Sequence, residues 1–245
     1  MRWRPFWVDC LGLGAGVLCA AFACRPGQLQ AQENGKPVPP SLAPSPLSTS
    51  SFALPLDELP PSVRDGVCRV LEKPTLKVRG PAEIFRGRPA MYHWLLENPD
   101  QAVVMWRRLG ARCMSITNQG NGRFGWTDGK GSNVSWETVF SDGRQRIWYA
   151  EGVVRPSPLL GAVAVRAVVA LHYLESQDAT GRPLIRHQAD LFLQTDSKAV
   201  AMVARLLGSS APHVAEEGIA QMEMFFSVLV WYLDRHPERL ETLLR

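Results

Sequence analysis

The chain has 245 residues, 46% of them hydrophobic and 20% charged, a composition that excludes a wholly disordered or membrane-embedded protein. Its net charge of +4 makes no case for a nucleic-acid partner, because Arg2, Arg4 and Arg25 against Asp9 place +2 of it in the first 31 residues. The length allows one sizeable domain with extensions.

The N-terminus has the layout of an export signal: Arg2 and Arg4 precede an apolar run from Cys10 to Ala23, and polar Gln28, Gln30 and Gln32 follow. Fourteen apolar residues suit the core of such a signal. They fall short of the roughly 20 that cross a bilayer as a helix. Cleavage after Ala21-Phe22-Ala23 or after Leu29-Gln30-Ala31 fits, giving a signal over residues 1–31. Phe22-Ala23-Cys24 also resembles the lipobox of bacterial lipoproteins, which makes Cys24 a lipidation candidate and a possible membrane tether. Ala21 stands where that box usually has Leu, which favours simple cleavage. Either route implies an exported protein of the periplasm or cell envelope. Residues 32–62 are rich in Pro and Ser without a hydrophobic period and read as a disordered or polyproline tether, leaving 63–245 as the folded domain. Cys68 and Cys113 are then the cysteines of the mature chain. They could form one disulfide, or Cys113 could be a buried small side chain in a strand and Cys68 a free thiol. No CxxC pair or His/Cys cluster suggests zinc.

Thr75-Leu-Lys-Val-Arg79 predicts a first strand, extended over Ala82 to Phe85 beyond the Gly80-Pro81 break. Pro89 to Glu97 suits a short helix, and Asn98-Pro99-Asp100 opens a second that stops at Gly110. Turns at Asn121-Gly122, Asp128-Gly129, Asp142-Gly143 and Asp178 to Gly181 then divide strands near 112–118, 123–128, 132–141, 144–154, 163–177 and 183–195.

A two-residue Asp142-Gly143 loop pairs Ser141 with Arg144 and sets Trp136 opposite Tyr149. One face of that hairpin then carries Val134, Trp136, Thr138, Phe140, Ile147 and Tyr149, and Glu137 and Glu151 fall on opposite faces. A three-residue loop ending at Gly181 pairs Asp178 with Arg182 and sets Tyr173 opposite His187, whereas a two-residue loop would move the partners by one. Val169, Leu171, Tyr173, Ile185, His187, Ala189, Leu191 and Leu193 then point inward, with Arg186, Gln188 and Asp190 outside.

Ala199 to Leu207 predicts a short helix, and Pro212 starts a long one. In the latter Val214, Ile219, Met222, Phe225, Phe226, Leu229, Val230 and Leu233 form a broad apolar stripe. Strand, two helices, six antiparallel strands and helices make an α+β fold, a curved antiparallel sheet of about seven strands packed on a long C-terminal helix. In element order over residues 74–235 the chain resembles the START-like (polyketide cyclase and lipid-transfer) superfamily of helix-grip proteins. That resemblance implies a cavity between sheet and helix for a hydrophobic or lipid-like small molecule. Its candidate liners are Trp136, Tyr149, Tyr173, His187, Met222, Phe226 and Leu229. The same aromatic and Met stripes would equally fill a packed core, which is the commoner outcome for any one of them.

His187, an imidazole on an apolar strand face, is the sharpest single candidate, either orienting a ligand or bonded to Tyr173 within the core. His172, on the other face, and His93, on a helix flank, are weaker. His213 with Glu216 and Glu217 could be read as a metal set, but charges in a first helical turn are usually solvated. Gly120-Asn-Gly-Arg-Phe-Gly125 matches a GxGxxG loop, yet it continues a hairpin and opens no helix. Asn133-Val134-Ser135 matches a glycosylation sequon within a predicted strand. No residue is nominated as nucleophile, metal ligand or cofactor contact. Three functional classes remain: a non-catalytic carrier of a lipid-like ligand, an envelope domain that binds partners through its surface, and, less favoured, a cyclase- or hydrolase-type enzyme using His187 and Tyr173.

Overall fold

The computed structural model describes residues 54–155, 161–195 and 211–245, the side chains at 211, 212 and 214 apart. The signal segment, Cys24, most of the tether and the helix expected at Ala199–Leu207 lie outside these residues.

Helix α1 spans Pro61–Glu72. Strands β1 (Leu76–Arg79) and β2 (Glu83–Arg86) follow, then helices α2 (Pro89–Glu97) and α3 (Pro99–Arg108). Strands β3 (Thr117–Gly120), β4 (Arg123–Thr127), β5 (Asn133–Ser141), β6 (Gln145–Val154), β7 (Val163–Gln177) and β8 (Pro183–Thr195) lead to α4 (Ala211–Arg235) and the short α5 (Leu240–Leu244). The eight strands form one antiparallel sheet in the order β1-β8-β7-β6-β5-β4-β3, with β2 also on β8. β1 runs along the Asp190–Leu193 half of β8 and β2 along the Leu184–His187 half, on either side of the Gly80-Pro81 break. The fold is the expected α+β class: a curved sheet packed on a long C-terminal helix, helix-grip-like.

Two apolar layers hold it together. Ile219, Met222, Phe225, Phe226, Leu229, Val230 and Leu233 of α4 are buried against the inner sheet face, where Trp136, Trp148, Val169, Leu171, Ile185, Ala189 and Leu191 meet them. Each such large side chain removed from water contributes about 1.5–3 kcal/mol. The other face is covered too. Leu59 and the Val67 and Val70 stripe of α1 pack on Val139, Ile147, Tyr149, Val168 and Ala170. This helix was not expected from the sequence, which placed the end of the tether at 62; Pro61 is its first residue and Leu59 is already buried. A Cβ on Gly66 would stand 2.8 Å from Tyr149 Oη, so α1 approaches the sheet this closely only through a residue without one.

The β7–β8 hairpin has the expected register. Asp178 N–H donates to the Arg182 carbonyl at 2.8 Å, Gly181 takes φ 78°, and Tyr173 faces His187. The β5–β6 register differs. The loop is Gly143-Arg144, because the Asp142 carboxylate accepts the N–H groups of Arg144 and Gln145 while Asp142 N–H donates to the Gln145 carbonyl. An irregularity between Thr138 and Phe140 shifts the ladder once more, so that Trp136 pairs with Ala150 and Glu137 with Tyr149. The face expected to be shared is therefore split. Trp136 and Val134 turn toward α4, whereas Phe140, Ile147 and Tyr149 turn toward α1. Glu137 and Glu151, expected on opposite faces, share one, since Glu151 pairs with Ser135. The strand expected from 112 begins only at Thr117. Cys68 is a free thiol, so it is not bridged to the buried Cys113. The Gly120–Gly125 segment is the β3–β4 hairpin, with Asn121 and Gly122 at positive φ in its turn.

Candidate buried site between sheet and helix

The inner sheet face places Trp136, Tyr173 and His187, and α4 places Met222, Phe226 and Leu229, in one buried layer. Tyr149 belongs to the other face, where its Oη donates to Glu151 Oε2 at 3.2 Å. The space these side chains leave is small. A void of about 10 Å³ lies among Leu96, Pro99, Trp136, Trp148, Val169, Met222 and Phe226. That is room for about one water, against the roughly 300–1,000 Å³ of a small-molecule site.

Beside this apolar end stands a buried polar cluster. Tyr92 on α2 faces His187 on β8, and Tyr92 Oη lies 2.8 Å from His187 Nδ1. Burial holds the Tyr92 hydroxyl well above its ordinary pKa, so it keeps its proton and donates. Nδ1 then accepts, and the ring proton sits on Nε2, which lies 3.2 Å from Glu83 Oε2 on β2. Ser227 of α4 donates to the same carboxylate oxygen at 2.9 Å. Burial is the largest influence on Glu83 and pushes its pKa up, but the hydrogen bonds from His187 and Ser227 outweigh it and hold the acid below its usual value. Both nitrogens of His187 are thus committed to protein partners. Tyr173, the partner expected for His187, instead donates to the Asp142 carbonyl at 2.6 Å and packs edge-on against Tyr92 at 5.8 Å.

Glu223 of α4 is fully buried and accepts the Ala189 N–H at 2.5 Å through Oε1. Among the described residues its Oε2 has no hydrogen-bond partner. Burial, with the charges of Glu83 and Asp190 adding to it and the Ala189 N–H opposing, raises its pKa to about 8. At neutral pH the group is therefore largely the neutral acid. Arg146 of β6 is also buried and reaches Glu97 Oε1 at 3.3 Å, and its Nε has no partner among the described residues. Sequence reasoning missed Tyr92, Glu223, Glu83 and Arg146. For Glu223 a signal existed: a carboxylate between Met222 and Phe225 within an otherwise apolar helical stripe.

The remaining candidates are elsewhere. His172 lies on the outer face, 3.9 Å from Asp190, which is held by a bidentate pair with Arg79 at 2.6 and 2.9 Å. His93 meets Glu175 at 2.6 Å. His213 is exposed, 3.3 Å from Glu217 and 3.9 Å from Glu216, in surface contacts at the start of α4. Among the described residues no group of three or more His, Cys, Asp or Glu side chains is placed to hold a metal ion, and no helix is long and apolar enough to cross a membrane.

No family model matches the sequence, and neither does any curated protein. Solved structures do match. A conserved protein from Geobacillus kaustophilus aligns over 64% of this chain and 97% of its own, at 13% identity and a TM-score of 0.45. A hypothetical protein from Helicobacter pylori aligns over 63% of this chain and 88% of its own, at 13% identity and a TM-score of 0.40. Norcoclaurine synthase from Thalictrum flavum aligns over 65% of this chain and 92% of its own, at 11% identity and a TM-score of 0.33.

Proposed function

We propose that this is an exported envelope domain with a filled core, which acts through its surface on a protein or cell-wall partner. The observation that carries the reading is the void of about 10 Å³ between sheet and helix, where a lipid carrier needs a volume tens of times larger. The surface, by contrast, holds an apolar cleft of about 350 Å³ between Met91 and Trp94 of α2 and Leu240 and Leu244 beyond α4. The signal-like N-terminus and the Pro/Ser tether support export and a domain held away from its point of attachment.

A second reading is a carrier of a lipid-like small molecule. What favours it is a pair of buried polar atoms on the inner layer without partners among the described residues, Glu223 Oε2 and Arg146 Nε, since such atoms normally have a partner. A ligand that entered by displacing Met222 and Phe226 would supply one.

Native mass spectrometry of protein purified without detergent, compared with a denatured sample, tests the two. The filled core predicts a bare protein mass that stays unchanged after incubation with a total lipid extract. A reproducible extra mass lost on denaturation would reject it for the carrier reading.

A further inference from the structure

Helix α4 is amphipathic in an unusual way. Its inner stripe is buried against the sheet, yet its solvent side is also largely apolar at the centre. Met224, Val228 and Trp231 are 42%, 37% and 40% exposed. Together with Glu217, Gln221 and Arg235 they make one exposed row, at positions 217, 221, 224, 228, 231 and 235. The intervals alternate four and three, as in the seam of two helices that pack at a small angle. Scattered exposed hydrophobic residues need no explanation, but a continuous seam on the outer face of a structural helix does.

The row also has a symmetry of its own. Every member has a counterpart at equal distance from position 226: Met224 with Val228, Gln221 with Trp231, and Glu217 with Arg235. A second copy laid antiparallel across the first therefore brings apolar on apolar at the centre. It also sets Glu217 of each chain against Arg235 of the other at both ends, about 27 Å apart along the axis. This is what a two-fold, isologous contact requires, the same patch serving as both halves. Both end residues are exposed. Arg235 lies over the Trp231 ring at 4.1 Å, and Glu217 meets the exposed His213 of its own turn. A parallel arrangement would put Glu217 on Glu217 and Arg235 on Arg235.

We propose that the solvent face of α4 is a self-pairing surface and that the partner it fits is a second copy of this chain, antiparallel, in register about position 226. The contact deepens the surface-acting reading and rests on it. One helix face is small for a stable interface, so the dimer is concentration-dependent.

Sedimentation equilibrium of the full chain over roughly 1–200 µM tests this by mass action. The wild type is expected to move from the monomer toward twice that mass. Glu217→Arg sets Arg against Arg at both ends and is expected to keep the chain monomeric. Glu217→Arg with Arg235→Glu restores the pairing in reverse and is expected to recover the dimer, with circular dichroism showing both variants folded as the wild type is. A wild type that stays monomeric overturns the proposal. So does a dimer indifferent to Glu217→Arg, or a monomer that instead floats with anionic phospholipid vesicles. A monomer leaves the filled-core reading standing, whereas a ligand mass in the native spectrum ends that reading whatever the helix does.

Discussion

The Tyr92 hydroxyl and His187 Nδ1, 95 positions apart in the chain, meet at 2.8 Å inside the core. The bond joins α2 to β8, and through Nε2 the histidine extends it to β2, so one imidazole ties three elements together. Tyr92→Phe leaves a fully buried acceptor without its donor and should cost about 1–3 kcal/mol. Urea unfolding monitored by tryptophan fluorescence measures it. Tyr173→Phe, which frees only a backbone carbonyl at the hairpin end, should cost less. The reverse order would mean that the Tyr92 bond does not hold the core.

Glu223 sets a pH dependence with a definite sign. Its pKa is about 8 in the folded protein against a usual 4.5, so between those values the folded state holds a proton that the unfolded chain has released. Stability from this group is fully present below pH 4.5 and is lost as pH rises through about 8. Glu223→Gln cannot ionise and keeps an oxygen for the Ala189 N–H. Urea midpoints at a series of pH values across that window should fall for the wild type and show a shallower fall for the variant. Parallel curves would mean that Glu223 ionises freely in the folded state.

Gly66 makes a third case. An added methyl would meet Tyr149 Oη at 2.8 Å and Cζ at 2.9 Å, so Gly66→Ala must push α1 off the sheet or turn the ring. The expected cost is about 1–3 kcal/mol in thermal or urea unfolding. Tyr149→Leu in the same chain removes the obstacle, and the alanine should then cost less than it does alone. Costs that simply add would show that the two positions do not press on each other.

How far the sequence was legible depended on the turns. The β7–β8 register followed from Asp178, Gly181 and the choice of a three-residue loop over a two-residue one, which would have moved every partner by one, and the inner positions of β8 came with it. The β5–β6 register did not follow. An Asp-Gly pair can occupy the loop itself or straddle its start, and here the Asp142 side chain accepts the N–H groups of Arg144 and Gln145 from outside the loop. The irregularity near Val139 carries no residue signal, yet it decides that Trp136 and Tyr149 face different layers. Helix α1 had a signal in Val63, Val67 and Val70, masked by the Pro-rich stretch before it. The partner of His187 was beyond reach, because a contact across 95 residues depends on how α2 sits over the sheet. Whether aromatic stripes line a cavity or fill it is likewise settled only by packing.

The sheet that separates the two apolar clusters also separates their fates on unfolding. α1 adds a small cluster on the outer face, while α4 is anchored to the sheet by its apolar stripe, Glu223 and Ser227. Peeling α1 away would bare one side of β5, β6 and β7 yet leave the ladders and the α4 layer closed. The amide protons of α1 are therefore expected to exchange with solvent through a partial opening, well ahead of those in β7, β8 and α4, which wait for the whole molecule to come apart.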